Sequence, residues 1–178
     1  KGAYIDSFTS GKRNVTRHAN IFAILFDIAD KQKQEKILKN VLENDEIPAI
    51  TTPYFNFFEL DVLCQMGKLT EVLDKIRSYW GGMLDLGAVT FWEEYDPSVP
   101  KEEQYDMYGD HFGKSLCHAW AASPIYFLAK YFAGLDLVNK DGVTYVLKPQ
   151  MQYFTDLDCT LPVGSDGTVR LAWDGECL

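Results

Sequence analysis

Residues 112–134, FGKSLCHAWAASPIYFLAKYFAG, and residues 143–148, VTYVLK, decide the fold class, because the hydrophobic period changes between them. In the first stretch Leu116, Ala119, Trp120, Pro124, Phe127, Leu128 and Tyr131 follow helical spacing. That spacing predicts a helix over 112–132, with a kink at Pro124 and a stop at Gly134. Beyond Gly134 the period falls to two. Residues 143–148, 151–155, 159–163 and 168–173 read as short strands, and Gly164-Ser165-Asp166-Gly167 as the hairpin turn between the last two.

Toward the N-terminus the helical rhythm persists. Over residues 13–30, Val15, Ala19, Phe22, Ala23, Phe26 and Ala29 form a stripe that Ile21, Ile24, Leu25 and Ile28 widen, predicting a helix buried over most of its circumference. Residues 33–44 set Ile37, Leu38, Val41 and Leu42 opposite Lys33, Glu35, Lys36, Lys39 and Glu43, a helix wet on one side. Pro48 and Thr51-Thr52-Pro53 interrupt the pattern. A helix over 54–66 follows, with Pro53 suited to its first turn and Gly67 to its end. The helix over 69–80 carries Leu69, Val72, Leu73, Ile76 and Tyr79 on one side, and Gly81-Gly82 is expected to close it. The whole is mainly α. Paired helices alternating wet and dry faces point to an α/α toroid, and the strands to the opening of a β-sandwich.

A length of 178 residues suits one domain and part of a second. An apolar share of 47% with 24% charged residues is that of a globular protein, excluding a disordered chain, a collagen-like repeat and a coiled-coil rod. Seventeen basic against 26 acidic residues give a net charge of −9, which repels phosphate backbones and argues against nucleic acid as a partner. The longest apolar run, residues 21–28, is too short to span a bilayer. Aromatic residues make up 14%, expected mainly as core filling, although rings beside carboxylates also furnish sugar clefts. Cys64, Cys117, Cys159 and Cys177 form no C-x-x-C pair and no Cys/His cluster. They are expected as free, buried thiols, with no metal and no cofactor. The chain lacks an initiator Met, starts apolar and stops just after a strand-like run, as expected of a piece of a longer polypeptide.

Glu93 is the first candidate for chemistry. Val89-Thr90-Phe91-Trp92 prefers an extended backbone, and Glu93-Glu94-Tyr95-Asp96-Pro97 then places three carboxyls within four residues beside an indole, so the segment reads as a short helix or an extended piece at the edge of a cleft. Like charges crowded against an apolar ring are the setting for a carboxylate that exchanges protons near neutral pH. The plainer alternative is a solvated acidic turn before Pro97. His118, in Ser115-Leu116-Cys117-His118-Ala119-Trp120, is placed by periodicity on the 112–132 helix. There it either bonds a sugar hydroxyl or is a core histidine satisfied by a backbone carbonyl. Cys117 adjoins it, but neighbours on a helix point about 100° apart, so no Cys/His dyad is expected. His18 falls at a polar turn and His111 in the 98–109 loop region's margin. Nucleotide-binding glycine motifs, G-x-S-x-G and H-E-x-x-H are absent from the sequence.

Taken together, residues 88–96 (AVTFWEEYD), 115–128 (SLCHAWAASPIYFL), 134–136 (GLD) and 145–150 (YVLKPQ) resemble, in order and spacing, the bacterial α-L-rhamnosidase family of glycoside hydrolases. Residues 52–55 (TPYF), before a helix ending in glycine, resemble that family's late barrel segment. The resemblance covers nearly the whole chain. It implies the C-terminal half of an (α/α)6 barrel over residues 1–137, built of helical hairpins, and the beginning of a C-terminal β-sandwich with short antiparallel strands over 138–178. It also implies hydrolysis of terminal α-L-rhamnosyl groups with inversion, between a general base and a general acid. The acid after Trp in the family's T-x-W-E motif is its base and corresponds to Glu93. The family's Ser-x-x-His motif makes His118 a contact to rhamnose in the −1 subsite, with Trp92 shaping the pocket. The general acid belongs to the N-terminal half of the barrel and is expected on the rest of the same polypeptide. Glu94, Tyr95 and Cys117 depart from the residues common at these positions in the family.

The resemblance makes the partner a rhamnose-containing glycan or glycoside, met in the periplasm or outside the cell. Two alternatives stand beside it: a catalytically silent, carbohydrate-binding helical toroid, and another (α/α)6 glycosidase or a polysaccharide lyase. A net charge of −9 weighs against a lyase for acidic polymers.

Overall fold

The structure, a computed structural model, describes residues 2–139 and 144–175. Two compact units divide the chain, Lys1–Ala122 and Ser123–Leu178. In the first, helix α1 spans Arg17–Leu25 and ends early because Asp27 takes φ +53° and the Ala29 N–H donates to Ala23 O at 2.9 Å. Ile21, Ala23 and Ile24 are buried as their spacing requires. Phe26 and Ile28, expected in the same stripe, lie past this stop and are exposed. Helix α2, Lys31–Ile37, is capped by the Asp30 carboxylate, which accepts from Lys33 N at 2.8 Å. It continues through a wider turn, Leu38–Leu42, burying Ile37, Leu38, Val41 and Leu42 on one face.

Helix α3, Pro53–Gln65, starts on its proline and ends at Gly67, whose φ of +74° lets Lys68 N–H reach Leu63 O at 2.8 Å and Gly67 N–H reach Cys64 O at 3.0 Å. Helix α4, Leu69–Lys75, runs on through Ile76–Trp80 into α5, Gly81–Asp85. The expected stop at Gly81-Gly82 is therefore wrong. The same closing bonds form six residues later around Gly87, at φ +91°, with Ala88 N–H donating to Met83 O at 3.0 Å. Gly82 is small for a different reason: a Cβ there would overlap the ring and hydroxyl of Tyr95. Gly82→Ala is accordingly expected to destabilise the protein by about 1–3 kcal/mol through overpacking, read as a lowered urea midpoint. An unchanged midpoint would show that Tyr95 swings aside freely.

Between Ala88 and His118 the backbone is irregular apart from a short turn at Lys101–Glu103 and a bridge between Met107 and Asp110. The helix expected over 112–132 is corrected here. Residues 112–118 are not helical, Ala119–Ala121 is one tight turn, and helix α6, Ser123–Phe127, begins with Pro124 in its first turn instead of kinking around it. A missing N–H is harmless at a helix start, which is why proline settles there.

In the second unit α6 continues as Leu128–Phe132 and stops at Gly134, φ +74°. Strand β1, Leu135–Leu137, pairs antiparallel with β2, Tyr145–Leu147. Strand β3, Leu157–Val163, pairs with β4, Gly167–Trp173, across the Gly164–Gly167 turn. Residues 151–155, expected as a strand, instead begin with a helical turn, Met151–Tyr153, with Phe132 packed edge-on against Tyr153 and Phe154. Ala133, Leu161 and Leu171 form this unit's core under Leu135, Leu147 and Val169. Among the described residues no helix is long and apolar enough to cross a membrane.

The cysteines depart in part from expectation. Cys64 is buried, Cys159 is half-buried and Cys117 is exposed; no disulfide joins these three, and Cys177 lies outside the described residues.

Candidate active site

Two irregular segments distant in sequence are joined backbone to backbone. Glu93 N–H donates to Ser115 O at 2.9 Å, His118 N–H donates to Phe91 O at 2.8 Å, and the Thr90 hydroxyl donates to Leu116 O. Residues 90–93 prefer extended structure and find their partner in 115–118, so the two motifs singled out in the sequence become neighbours. His118 lies on this extended backbone, φ −114° and ψ 108°, and not on a helix as periodicity predicted. Its backbone N–H is spent on Phe91, which replaces the helical bond it would otherwise have made.

The Glu93 carboxylate is half-buried and held at both oxygens. Ser115 N–H donates to Oε2 at 3.0 Å and the Tyr108 hydroxyl to Oε1 at 3.1 Å. The neighbouring acids do not share its surroundings. Glu94 Oε1 accepts from the Thr51 hydroxyl at 2.8 Å, while Asp96 Oδ1 accepts from Ser98 N at 2.9 Å and Ser98 Oγ at 2.6 Å within its own turn. Between them lies Lys114, a buried ammonium 3.9 Å from Glu94 Oε2. Burial pushes its pKa down, and the charges of Glu94, Asp106, Asp96 and Glu93 oppose that shift. The run is therefore neither the crowded cluster nor the solvated turn that its spelling allows: each carboxylate has its own donor, and one buried cation serves the group.

Trp92 is 3% exposed, edge-on to Tyr105 at 5.5 Å. Its indole anchors the segment that carries Glu93 and offers no open face. The exposed rings lie nearby in the same unit: Trp120, 65% exposed, is 4.8 Å from Tyr54, 46% exposed, and 6.0 Å from the His118 imidazole. His118, Ala119 and Trp120 line a small pocket of about 160 Å³. Trp80 fixes this turn from below, its indole N–H donating to Ala121 O at 2.8 Å.

The chain is similar to a rhamnosidase from Klebsiella oxytoca with rhamnose bound, at 32% identity and a TM-score of 0.63, over 73% of this chain and 24% of that one. The fold is rhamnosidase-like. The chain thus spans about a quarter of the length of the rhamnosidase that it matches. No family model matches the sequence, and no curated protein does.

Within this rhamnosidase-like fold, the sequence did not single out Tyr108 and Lys114, which act on Glu93 by a hydrogen bond and by charge, or Thr51, which holds the neighbouring Glu94. Tyr108 and Lys114 sit in a polar stretch with no periodicity, and Thr51 reads as a helix-preceding turn. His18 packs its ring on Phe55 at 4.1 Å and His111 pairs with Asp106 at 2.6 Å, and neither is among the donors to the Glu93 carboxylate. Among the described residues no group of three or more His, Cys, Asp or Glu is placed to hold a metal ion.

Proposed function

We propose that this chain contributes the general-base side of an inverting α-L-rhamnosidase-like glycoside hydrolase, acting on rhamnose-containing glycans or glycosides. The observation that carries the proposal is the Glu93 carboxylate, half-buried and clamped by Ser115 N–H, on the same backbone pairing that bears His118, within a rhamnosidase-like fold. Glu93 accepts a proton from water as the water oxygen bonds to C1. The C1–O bond to the aglycone breaks, and the leaving oxygen takes its proton from a general acid supplied by residues beyond this chain. Inverting enzymes separate the two carboxyls by roughly 6.5–9.5 Å, room for that water. His118 contacts the sugar in the −1 subsite, and Trp92 shapes the pocket by holding residues 91–93 in place. Residues 1–137 are assigned to the late part of an (α/α)6 barrel and 138–178 to the start of a β-sandwich, and the substrate is met in the periplasm or outside the cell.

The experiment follows an aryl α-L-rhamnoside with the intact polypeptide by proton NMR. The first-formed sugar is expected to be β-L-rhamnose, mutarotating later. Release of the α-anomer first would exclude Glu93 as base in a single displacement. The exposed Trp120 and Tyr54 rings favour the second reading, a carbohydrate-binding toroid without chemistry; rhamnoside binding with no hydrolysis would establish it.

A further inference from the structure

We infer that Tyr108 is a positioning residue for the Glu93 carboxylate, held against it by a two-residue reverse turn. The inference rests on Glu93 acting as general base. Tyr108 and Gly109 are the central residues of the turn, at φ +56° and +83°, and Met107 and Asp110 exchange both backbone hydrogen bonds at 3.0 Å. Two successive left-handed residues form the turn that suits Asn-Gly or Asp-Gly. A bulky aromatic residue is disfavoured there, because its Cβ crowds the backbone. Burial does not compensate, since Tyr108 is 83% exposed. What the side chain does make is the hydrogen bond from its hydroxyl to Glu93 Oε1 at 3.1 Å. Non-glycine residues kept in sparsely populated backbone regions cluster at functional sites, and here the strained residue touches the candidate base.

The turn is anchored so that the hydroxyl arrives in place. Gly113 N–H donates to Asp110 O at 3.1 Å, and a Cβ on Gly113 would overlap Met107 O, so the chain folds back closely behind the turn. Asp106 and His111 pair across it at 2.6 Å. Tyr105 lies between Phe112 and the buried Trp92 indole, and Lys114 N–H donates to Tyr105 O at 3.2 Å. The base is thus gripped from two segments: Oε2 by a backbone N–H that cannot rotate, Oε1 by a phenol on its own turn. With the carboxylate plane fixed, the second lone pair of Oε1 is the position from which a water can be deprotonated. The Glu93 carboxylate in turn pushes the Tyr108 phenol above its ordinary range, so the hydroxyl stays a donor throughout neutral pH.

The test is kinetic and uses the intact polypeptide. Tyr108→Phe is expected to lower kcat roughly tenfold, the size of one lost hydrogen bond to a charged group, with KM within about twofold. In a Glu93→Ala background rescued by azide, which attacks C1 without needing a base, adding Tyr108→Phe is expected to change the rate less than about twofold. Tyr108→Asn, better suited to the left-handed conformation, is expected to unfold no earlier than the parent yet lose turnover as the Phe variant does. An unchanged kcat in Tyr108→Phe while Glu93→Gln is inactive overturns this inference alone. So does a raised KM, or the same loss in the azide-rescued background, either of which makes Tyr108 a sugar contact. Full activity of Glu93→Gln overturns both this inference and the assignment of the base.

Discussion

Glu93→Gln in the intact polypeptide is expected to lower the turnover of an aryl α-L-rhamnoside by roughly 10³-fold, the typical scale of a lost general base. That is a barrier increase of about 4 kcal/mol. The substitution preserves volume and planarity, and its amide oxygen still accepts from Ser115 N–H, so the pairing between residues 90–93 and 115–118 survives. Thermal unfolding should therefore move little while the rate collapses. Steady-state kinetics beside a melting curve separate the two effects. Turnover within tenfold of the parent would remove Glu93 from the mechanism.

The largest expected loss of stability comes from Glu59→Ala. Glu59 is 2% exposed on α3, and its Oε1 accepts from Arg17 Nη1 at 2.6 Å and Lys75 Nζ at 2.8 Å, while Arg17 Nη1 also donates to Leu42 O at 2.8 Å. One carboxylate oxygen thus ties α1, α3 and α4, and Arg17 extends the link to the Leu38–Leu42 turn. Desolvation pushes the Lys75 pKa down despite this neighbour. Truncation leaves a buried guanidinium and a mostly buried ammonium with no counter-charge, at a cost of about 3–5 kcal/mol. Chemical denaturation measures it. A loss below about 1 kcal/mol would mean that the two cations turn to solvent at small cost. Activity should fall only as folded protein is lost, since Glu59 makes none of the bonds that hold Glu93.

The contrast between these two glutamates indicates what a linear reading can find. Glu93 stood out because Trp92 precedes it and two more acids follow, a local signature that also carried the family resemblance. Glu59 sits in an unremarkable helical run, and its role depends on Arg17 and Lys75, 42 and 16 positions away. The 112–132 segment shows the converse limit. Its apolar spacing is helical, yet residues 115–118 pair by backbone hydrogen bonds with residues 90–93, a non-local choice that periodicity does not register. Gly82 has a similar lesson: a Gly-Gly pair reads as punctuation, but the residue is there because Tyr95 comes close.

Local patterns by themselves determined most of the helices from α1 to α4, the change to strands after Gly134 and the β3–β4 hairpin, and they marked Glu93 as a carboxylate beside an indole, its role as base coming from the family resemblance. All of these are properties of short runs, where side-chain period, caps and turn residues set the backbone energy. Only the tertiary structure decided that 115–118 is not helical and pairs with 90–93, that Lys114 stands among the carboxylates, that Tyr108 reaches Glu93, and that Trp92 is buried while Trp120 is open. These depend on which surfaces exclude water together and on which donors meet which acceptors across long loops. Pairing energies of that kind arise only once distant parts of the chain are side by side.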